Sequence, residues 1–415
     1  MAVVRPFMGV RPNPDLVDKI AALPYDVMSS MEAREMTKDN KLSFLYIDRP
    51  ELNFPVGQDP YAPESYKKAR EVYENMKTKG EFIQDQAPVL YIYEQTMDGR
   101  KQMGLVACTA IDDYINNNIK KHELTREEKE QDRIRHVDNM NANTGPIFLT
   151  YRHADEITNI MKDWAKNHKA VYDYVSEDGI GHTVWVIDCP KTVETISSAF
   201  AAVPSLYIAD GHHRNASAVK VGLMRRKDNP AYTGEEEFNF YLSVIFPDNE
   251  LYIMDYNRIV KDLNGASKEE FIAKIGEKFV VEEFGGGQYH PEHAHTFGMY
   301  MDNQWYKLTA KAEFIDENDP VESLDVSILQ NSLLTPALGI EDPRTSDRID
   351  FIGGLRGLGE LERRVNSGEM AVAFSMFPTT IGELMAIADA DKLMPPKSTW
   401  FEPKLRSGLF VHELS

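Results

Sequence analysis

One short segment of this chain carries the residue types best suited to chemistry. The run Asp210-Gly211-His212-His213-Arg214 follows an apolar, strand-like stretch and precedes a stretch with helical character. The first turn of a helix presents backbone N–H groups without partners, and the helix dipole makes that end positive. Gly211 lets the backbone approach a ligand closely, and Arg214 offers a planar fork for phosphate oxygens. The segment therefore predicts an anion site.

The other side chains of this run admit several roles. His212 and His213 add donors whose charge is tunable near neutral pH, and Asp210 can hold Mg²⁺ or position a hydroxyl group. Three alternatives compete: histidines with structural hydrogen bonds, a metal site, and a simple pair between Arg214 and Asp210. A functional interpretation is favoured, because so polar a turn has little reason to exist for packing.

A second stretch, His122-Glu123-Leu124-Thr125, offers a carboxylate beside an imidazole. In a functional interpretation Glu123 is a general base and His122 orients the substrate or its phosphate. Alternatively, Glu123 is a first-turn helix residue stabilised by the dipole. The stretch alone favours the structural interpretation.

The segment from Pro395 to Gly408 is unusual in so acidic a chain. It holds the cations Lys397, Lys404 and Arg406, with Glu402 as its acidic residue. A phosphate clamp and a surface tail that folds back onto the body explain it equally well.

Other polar stretches are interpreted as structural. Asp132-Arg133 and Asn141–Pro146 are expected to form a helix C-terminus followed by a turn, and Asp342–Phe351 alternates in charge in a way typical of internal salt bridges.

Composition sets the class of protein. The 415 residues include 46 Lys and Arg against 66 Asp and Glu, a net charge of -20, which repels nucleic acid and anionic lipid. Cys108 and Cys189 are interpreted as small apolar residues in a reducing compartment. The N-terminus lacks the apolar core of a signal peptide, and no run approaches the length of a membrane helix. A cytoplasmic protein is expected, with nucleic acid an improbable partner and homo-oligomerisation left open.

The pattern of apolar runs indicates a mixed α/β (α+β) fold. Strands are predicted at 89–93, 103–111, 147–151, 183–188, 205–209, 240–246 and 371–376, and helices at 62–80, 123–143, 155–170, 192–202 and 215–226. The length favours two to three domains. A boundary at Gly265 is expected, with a catalytic region and N-terminal extension at 1–265 and an α+β region at 266–415.

Taken together, these motifs resemble the domain-of-unknown-function family 1015, over nearly the whole length. The residues that carry the resemblance are Arg5-Pro6-Phe7, Arg11-Pro12, Pro24–Val27, His122–Thr125, Asp132-Arg133, Ala209–Arg214, Tyr256-Asn257-Arg258, Asp342-Pro343-Arg344 and Met394–Gly408. The Asp-Gly-His-His-Arg loop is also similar to the phosphate loop of the ParB/sulfiredoxin-like superfamily, and especially of the ParB-like free serine kinases. That resemblance implies a phosphate-binding core with large insertions.

The resemblance also implies an activity and a set of site residues. The activity is phosphoryl transfer between a nucleotide, ATP or ADP with Mg²⁺, and a small hydroxyl compound, with L-serine and O-phosphoserine the leading pair. By the same match Glu123 acts as base with His122 beside it, and Asp210 contacts substrate or metal. The residues expected to hold phosphates are Gly211, His212, His213, Arg214, Thr125, Lys397, Lys404 and Arg406. The alternatives are a phosphoserine phosphatase and a ParB-like nucleotide-binding switch or nuclease that acts with DNA.

Overall fold

The computed structural model describes residues 2–415, which divide into two compact units. The first unit comprises residues 2–251 and 403–415, and the second comprises Tyr252–Glu402. The mixed α+β class predicted from the apolar pattern is confirmed in both units. Among the described residues, no helix combines the length and apolar character that a membrane span requires.

The first unit is built on a nine-stranded mixed sheet. Its strands and those beside it are β1 (Val4–Arg5), β2 (Val10–Pro12), β3 (Phe82–Gln84), β4 (Leu90–Met97), β5 (Arg100–Ala110), β6 (Ile119–Lys120), β7 (Ala142–Asn143), β8 (Ile147–Tyr151), β9 (Tyr172–Val175), β10 (Gly181–Ile187), β11 (Leu206–Asp210) and β12 (Phe240–Pro247). The strand order is β6-β11-β8-β12-β5-β4-β10-β9, with β1 paired to β5. The turn between β4 and β5 is the predicted one, since Asp98 and Gly99 both have positive φ.

The helices of the first unit are α1 (Val17–Ile20), α2 (Ser30–Thr37), α3 (Leu45–Asp48), α4 (Pro63–Thr78), α5 (Ile111–Ile115), α6 (Glu127–Met140), α7 (Asp155–Asn167), α8 (Pro190–Ala201) and α9 (His212–Asp228). Apolar residues of α7 and α8, including Met161, Trp164 and Phe200, pack with the inward side chains of the sheet in one buried cluster. Burial of such side chains contributes about 25 cal/mol per Å² of apolar surface. That packing fixes the strand ends that carry the polar segments.

The second unit holds a six-stranded sheet and five helices. Its strands are β13 (Ile253–Met254), β14 (Tyr256–Val260), β15 (Phe279–Phe284), β16 (Thr296–Met301), β17 (Gln304–Ala310), β18 (Ile349–Gly353), β19 (Val372–Met376) and β20 (Trp400–Phe401), and its helices are α10 (Lys268–Ile275), α11 (Asp325–Leu329), α12 (Thr335–Leu338), α13 (Gly357–Asn366) and α14 (Ile381–Asp389). The sheet order is β15-β17-β16-β19-β14-β18, and β13 pairs with β20. A π-helical turn joins α11 to α12.

The division between the units differs from the one expected at Gly265. Strand β14 hydrogen-bonds to β18 and β19, so residues 252–265 belong with the second unit. Residues 403–415 return to the first unit, where β21 (His412–Glu413) pairs with β7. Strand pairing between distant segments assigns residues 252–265 to the second unit and residues 403–415 to the first. Such pairing cannot be predicted from the local sequence pattern.

Candidate active site

Two neighbouring strands bring the polar segments around Glu123 and Asp210 to the same edge of the first sheet. Strands β6 and β11 are parallel, with Leu206 paired to Ile119 and Tyr207 to Lys120. Because parallel strands end at the same edge, the residues that follow each of them emerge side by side. A Glu123 carboxylate oxygen lies 3.9 Å from Nδ1 of His212. The two segments singled out in the sequence are therefore neighbours.

The turn from β11 into α9 has the geometry of an anion-binding helix start. Gly211 has φ 90°, a left-handed conformation that favours glycine, and it caps the helix. Its N–H donates to Oδ1 of Asp210 at 2.7 Å, and its carbonyl accepts the Asn215 N–H at 2.9 Å. The helix therefore begins at His212 and not at the expected Asn215, which puts the first-turn N–H groups within the motif itself.

Lys404 reaches this turn from the C-terminal segment. Its ammonium donates to Oδ2 of Asp210 at 2.8 Å, and the Lys404 side chain is 13% exposed against 44% for Asp210. Burial works to raise the pKa of Asp210, but Lys404, the Gly211 N–H and Arg214 outweigh it and hold that pKa below its usual value. Asp210 is thus an ionised carboxylate, and Lys404 lies beside the turn, while its role as a phosphate ligand stays a prediction.

The imidazoles of His122 and His212 form a buried pair behind the turn. Their ring centroids are 4.4 Å apart in an edge-to-face arrangement, and the two residues are 2% and 6% exposed. Burial lowers the pKa of His122 to about 4, and burial together with His122, His213 and Lys121 lowers the pKa of His212 well below its usual value. Both rings are neutral at pH 7, so the His212 side chain acts here by packing and not as a cation.

His213 and Thr125 fasten the segment that leads into α6. The Arg126 N–H donates to Nε2 of His213 at 3.0 Å, and Thr125 donates to a Glu130 carboxylate oxygen at 2.6 Å. Burial, with Lys129 and Arg126 nearby, lowers the pKa of His213. The first contact ties Arg126 to the first turn of α9 and the second ties Thr125 to α6, so the segment after Glu123 is anchored at two points.

Arg214 lies in a small cavity beside the turn. Its guanidinium is 3.7 Å from Oδ2 of Asp48 and 3.4 Å from the Ser407 hydroxyl. A methyl group at Gly145 would come within 1.8 Å of Nη1 of Arg214, so a larger residue there requires the guanidinium to move. The cavity, with a volume of about 20 Å³, is lined by Asp48, Arg133, Gly145 and Arg214 among others, which is enough for one water molecule.

Several residues in or near this cavity were not predicted as site residues, and two of them, Asp48 and Arg133, line it. Tyr25 lies between two guanidinium groups, 4.0 Å from Arg133 and 5.2 Å from Arg214, and burial raises its pKa to about 12. Asp48 is 2% exposed, and its Oδ2 has no hydrogen-bond partner among the described residues. Asp132 and Arg133 lie within α6 and are buried. They are therefore not at the helix end expected from the sequence.

The two remaining cations of the predicted phosphate set lie elsewhere. Arg406 is 4% exposed, and its guanidinium donates to Asp178, Ser176 and His182 at 2.6 to 3.1 Å. Lys397 belongs to the second unit, where its ammonium lies 5.6 Å from the centroid of the Tyr256 ring. The structure thus gathers Glu123, Lys404 and the turn, and gives Arg406 a structural network of its own.

A resident Mg²⁺ does not fit the donors at this turn. The two carboxylate oxygens of Asp210 already accept from Gly211 and Lys404. Among residues 2–415, no group of three or more His, Cys, Asp or Glu side chains could hold a metal ion. Mg²⁺ commonly binds through phosphates and one or two carboxylates. A metal ion at this turn would therefore have to arrive with a nucleotide.

Fold and site together define a mixed α+β protein in which a strand of the first sheet runs into a glycine turn and the start of a helix. The chain belongs to the family described as protein of unknown function (DUF1015), whose model matches residues 4–327. The family resemblance seen in the motifs is thereby confirmed. A search of curated proteins gave no match.

Solved structures with partial similarity include a free serine kinase variant in complex with AMP, which is 15% identical, with 71% of this chain and 86% of that chain covered and a TM-score of 0.36. A conserved hypothetical protein from Pyrococcus furiosus is 14% identical, with 73% and 93% covered and a TM-score of 0.35. A C-terminally truncated SbnI from Staphylococcus aureus is 10% identical, with 72% and 82% covered and a TM-score of 0.31. At these TM-scores the similarity does not decide the fold or the activity.

Proposed function

We propose that this protein is a phosphotransferase that moves a phosphoryl group between a nucleotide and the hydroxyl group of a small molecule. The observation that carries the proposal is the juxtaposition of Glu123 with the Gly211 turn at the ends of two parallel strands. A carboxylate suited to take a proton thus stands beside a helix start suited to hold phosphate oxygens.

In the proposed reaction, the substrate hydroxyl oxygen forms a bond to the transferred phosphorus while the bond from phosphorus to the nucleotide's leaving oxygen breaks. Glu123 accepts the hydroxyl proton. The first-turn N–H groups of α9 and the Lys404 ammonium hold the phosphate oxygens, and such positioning with charge neutralisation accounts for most catalysis of this type. Arg214, within the adjoining cavity, contributes positive charge. Mg²⁺, bound together with the nucleotide, would supply further charge neutralisation.

The leading substrate pair is L-serine and O-phosphoserine, as the resemblance to ParB-like free serine kinases implies. The nucleotide is ATP or ADP, and the direction of transfer is part of the hypothesis to be tested. The whole chain has a net charge of -20 and repels anions at long range. The affinity for an anionic substrate must therefore come from groups at the turn that contact it directly.

The test is to incubate the purified protein with L-serine, Mg²⁺ and either ATP or ADP, and to follow O-phosphoserine by mass spectrometry. We expect turnover that Glu123→Gln lowers by at least about 100-fold, the usual contribution of a general base. Glu127→Gln, at an exposed acid at the start of α6, is the matched control and should retain full activity.

Two outcomes would change the proposal. Release of inorganic phosphate from O-phosphoserine, without any transfer to a nucleotide, would replace the kinase with a phosphatase that uses water as the acceptor. Absence of turnover in both directions, with serine and with related hydroxy compounds, would refute the phosphotransferase.

A further inference from the structure

Arg258, on strand β14 of the second unit, is a buried cation without a carboxylate partner. It is 4% exposed, and among residues 2–415 no acidic side chain forms an ion pair with it. Its guanidinium donates to two carbonyl groups, those of Tyr256 and, at 3.0 Å, Lys397. A guanidinium carries five N–H donors, so most of its hydrogen-bonding capacity is unused by the described residues.

A second cation lies beside it. Arg258 is hydrogen-bonded to the backbone of Lys397, and the Lys397 ammonium lies over the Tyr256 ring at 5.6 Å. Lys397 is exposed, and it too has no ion pair among the described residues. Its backbone has φ 61°, a left-handed conformation that is uncommon outside glycine. The segment is held in this form by Ser398, whose hydroxyl donates to the Pro395 carbonyl at 2.6 Å.

Three aromatic rings form the walls around these cations. The Tyr256 ring meets Phe351 and Trp400 edge to face, with centroids 5.8 and 5.1 Å apart. The Arg258 guanidinium lies 5.5 Å from the centroid of Phe351. Strand register explains the grouping, because Arg258 pairs with Phe351 across β14 and β18, and their side chains share one face of the sheet. Phe351 and Trp400 are half-buried, so the cluster lies near the surface of the unit.

This grouping is costly without a counter-ion. A charge removed from water needs a partner of opposite charge or a full set of hydrogen bonds. Burial lowers the pKa of Arg258 to about 10, against a small opposing effect of Tyr256. The chain has 66 acidic residues, yet none of those described is paired with Arg258. A purely structural position would be filled more favourably by an apolar side chain of similar length.

We propose that Arg258 and Lys397 form an oxyanion-binding site in the second unit, walled by Tyr256, Phe351 and Trp400, for a ligand that carries a phosphate or carboxylate group. The unused N–H donors of Arg258 suit the paired oxygens of such a group, and the Lys397 ammonium adds a mobile charge at the exposed side. The site gives a role to two motifs that the proposed phosphotransferase reaction does not use, Tyr256-Asn257-Arg258 and the segment at Pro395–Thr399.

The test uses the full chain, both as it is and with Gly211→Ala, which weakens binding at the turn of the first unit and so separates it from binding in the second unit. Inorganic phosphate and acetate are titrated separately by calorimetry at constant ionic strength. We expect saturable binding of at least one of them, weakened about tenfold or more by Lys397→Gln, the loss typical of a charge-assisted hydrogen bond. Lys261→Gln, at an exposed lysine of the same unit, is the matched control and should bind as the parent does.

The two ligands identify the source of the anion. Binding of phosphate alone indicates a phosphorylated ligand, and binding of acetate as well indicates a carboxylate. Arg258→Met should abolish binding of both, and if that variant does not fold, the comparison of Lys397 with Lys261 decides. Equal affinities for the Lys397 and Lys261 variants, or no saturable binding in either the parent or the Gly211→Ala protein, would overturn the site. The result is independent of whether the protein transfers phosphate, because no turnover is measured.

Discussion

Substitution of Gly145 by alanine tests whether the placement of Arg214 depends on the close approach of the backbone. The added methyl group would lie 1.8 Å from Nη1 of Arg214. Since carbon and nitrogen atoms pack at roughly 3.5 Å, the guanidinium must retreat by roughly 1.7 Å, the difference between these two distances. That movement disturbs its contacts with the Ser407 hydroxyl and with the buried carboxylate of Asp48.

The expected magnitude follows from these contacts. Overpacking costs about 1 to 3 kcal/mol, and the lower end applies here because the clash is with the end of a flexible side chain beside a small cavity. A buried carboxylate whose cation moves away adds about 1 kcal/mol, so we expect Gly145→Ala to lower the free energy of unfolding by about 2 kcal/mol. In a protein that already carries Arg214→Ala, the methyl group has space, and the same substitution should cost less than about 1 kcal/mol.

The assay is urea unfolding of the parent, the two single variants and the double variant, which gives the coupling energy between the two positions. Gly285→Ala is the control, because no atom lies within 4 Å of the added methyl group there, and its effect should stay within about 0.5 kcal/mol. If Gly145→Ala costs the same with and without the arginine side chain, then Arg214 does not occupy the position argued for it, and its place in the phosphate site is lost.

Three further predictions concern the turn and its surroundings. Gly211→Ala forces a φ of 90° on a residue with a side chain, so urea unfolding should show that the free energy of unfolding falls by about 1 to 2 kcal/mol. Calorimetry should show weaker nucleotide binding by the same variant. Unchanged values in both measurements would contradict the role of the turn. Lys404→Gln removes the cation that lowers the pKa of Asp210, so an NMR titration of that carboxyl should show a higher pKa, and an unchanged value would refute the pairing. His122 has a pKa of about 4 in the folded protein and about 6.5 in the unfolded chain, so its contribution to the free energy of unfolding is complete above pH 6.5 and is lost as the pH falls to 4. Between pH 6.5 and 4 the His122→Phe variant should therefore lose less stability than the parent, with a difference of up to about 3 kcal/mol. Equal losses in the two proteins would show that the His122 ring is not buried in its neutral form.

Local chemistry was predictable from the sequence. The apolar run before Asp210 and the glycine after it indicate a strand and a turn, and both are present. The start of the helix was placed three residues too late, because histidine and arginine do not mark a helix start by propensity. In the structure it is the left-handed Gly211 that sets the first turn.

The meeting of distant segments was not predictable in the same way. Strand β6 has two residues, too few for a periodic signal, yet its pairing with β11 is what carries Glu123 to the turn. Nothing in the local sequence around Asp48 and Tyr25 shows that the fold places them next to the Arg214 guanidinium. Arg406 looked like a phosphate ligand because its partners, Asp178 and His182, lie more than 200 residues away in the chain.

Charge balance at the turn determines how an anion can bind there. The cations nearest to Gly211 each face an acid: Lys404 is paired with Asp210, and Arg214 faces Asp48. The local charge is therefore close to neutral, while the net charge of -20 repels anions at long range. Because salt screens that repulsion beyond about 8 Å, affinity must come from groups in direct contact, the first-turn N–H groups above all. The affinity of this turn for an anion should consequently stay constant or increase when the ionic strength is raised from low values. A site that attracts its ligand by long-range electrostatics shows the opposite dependence, because salt weakens its binding.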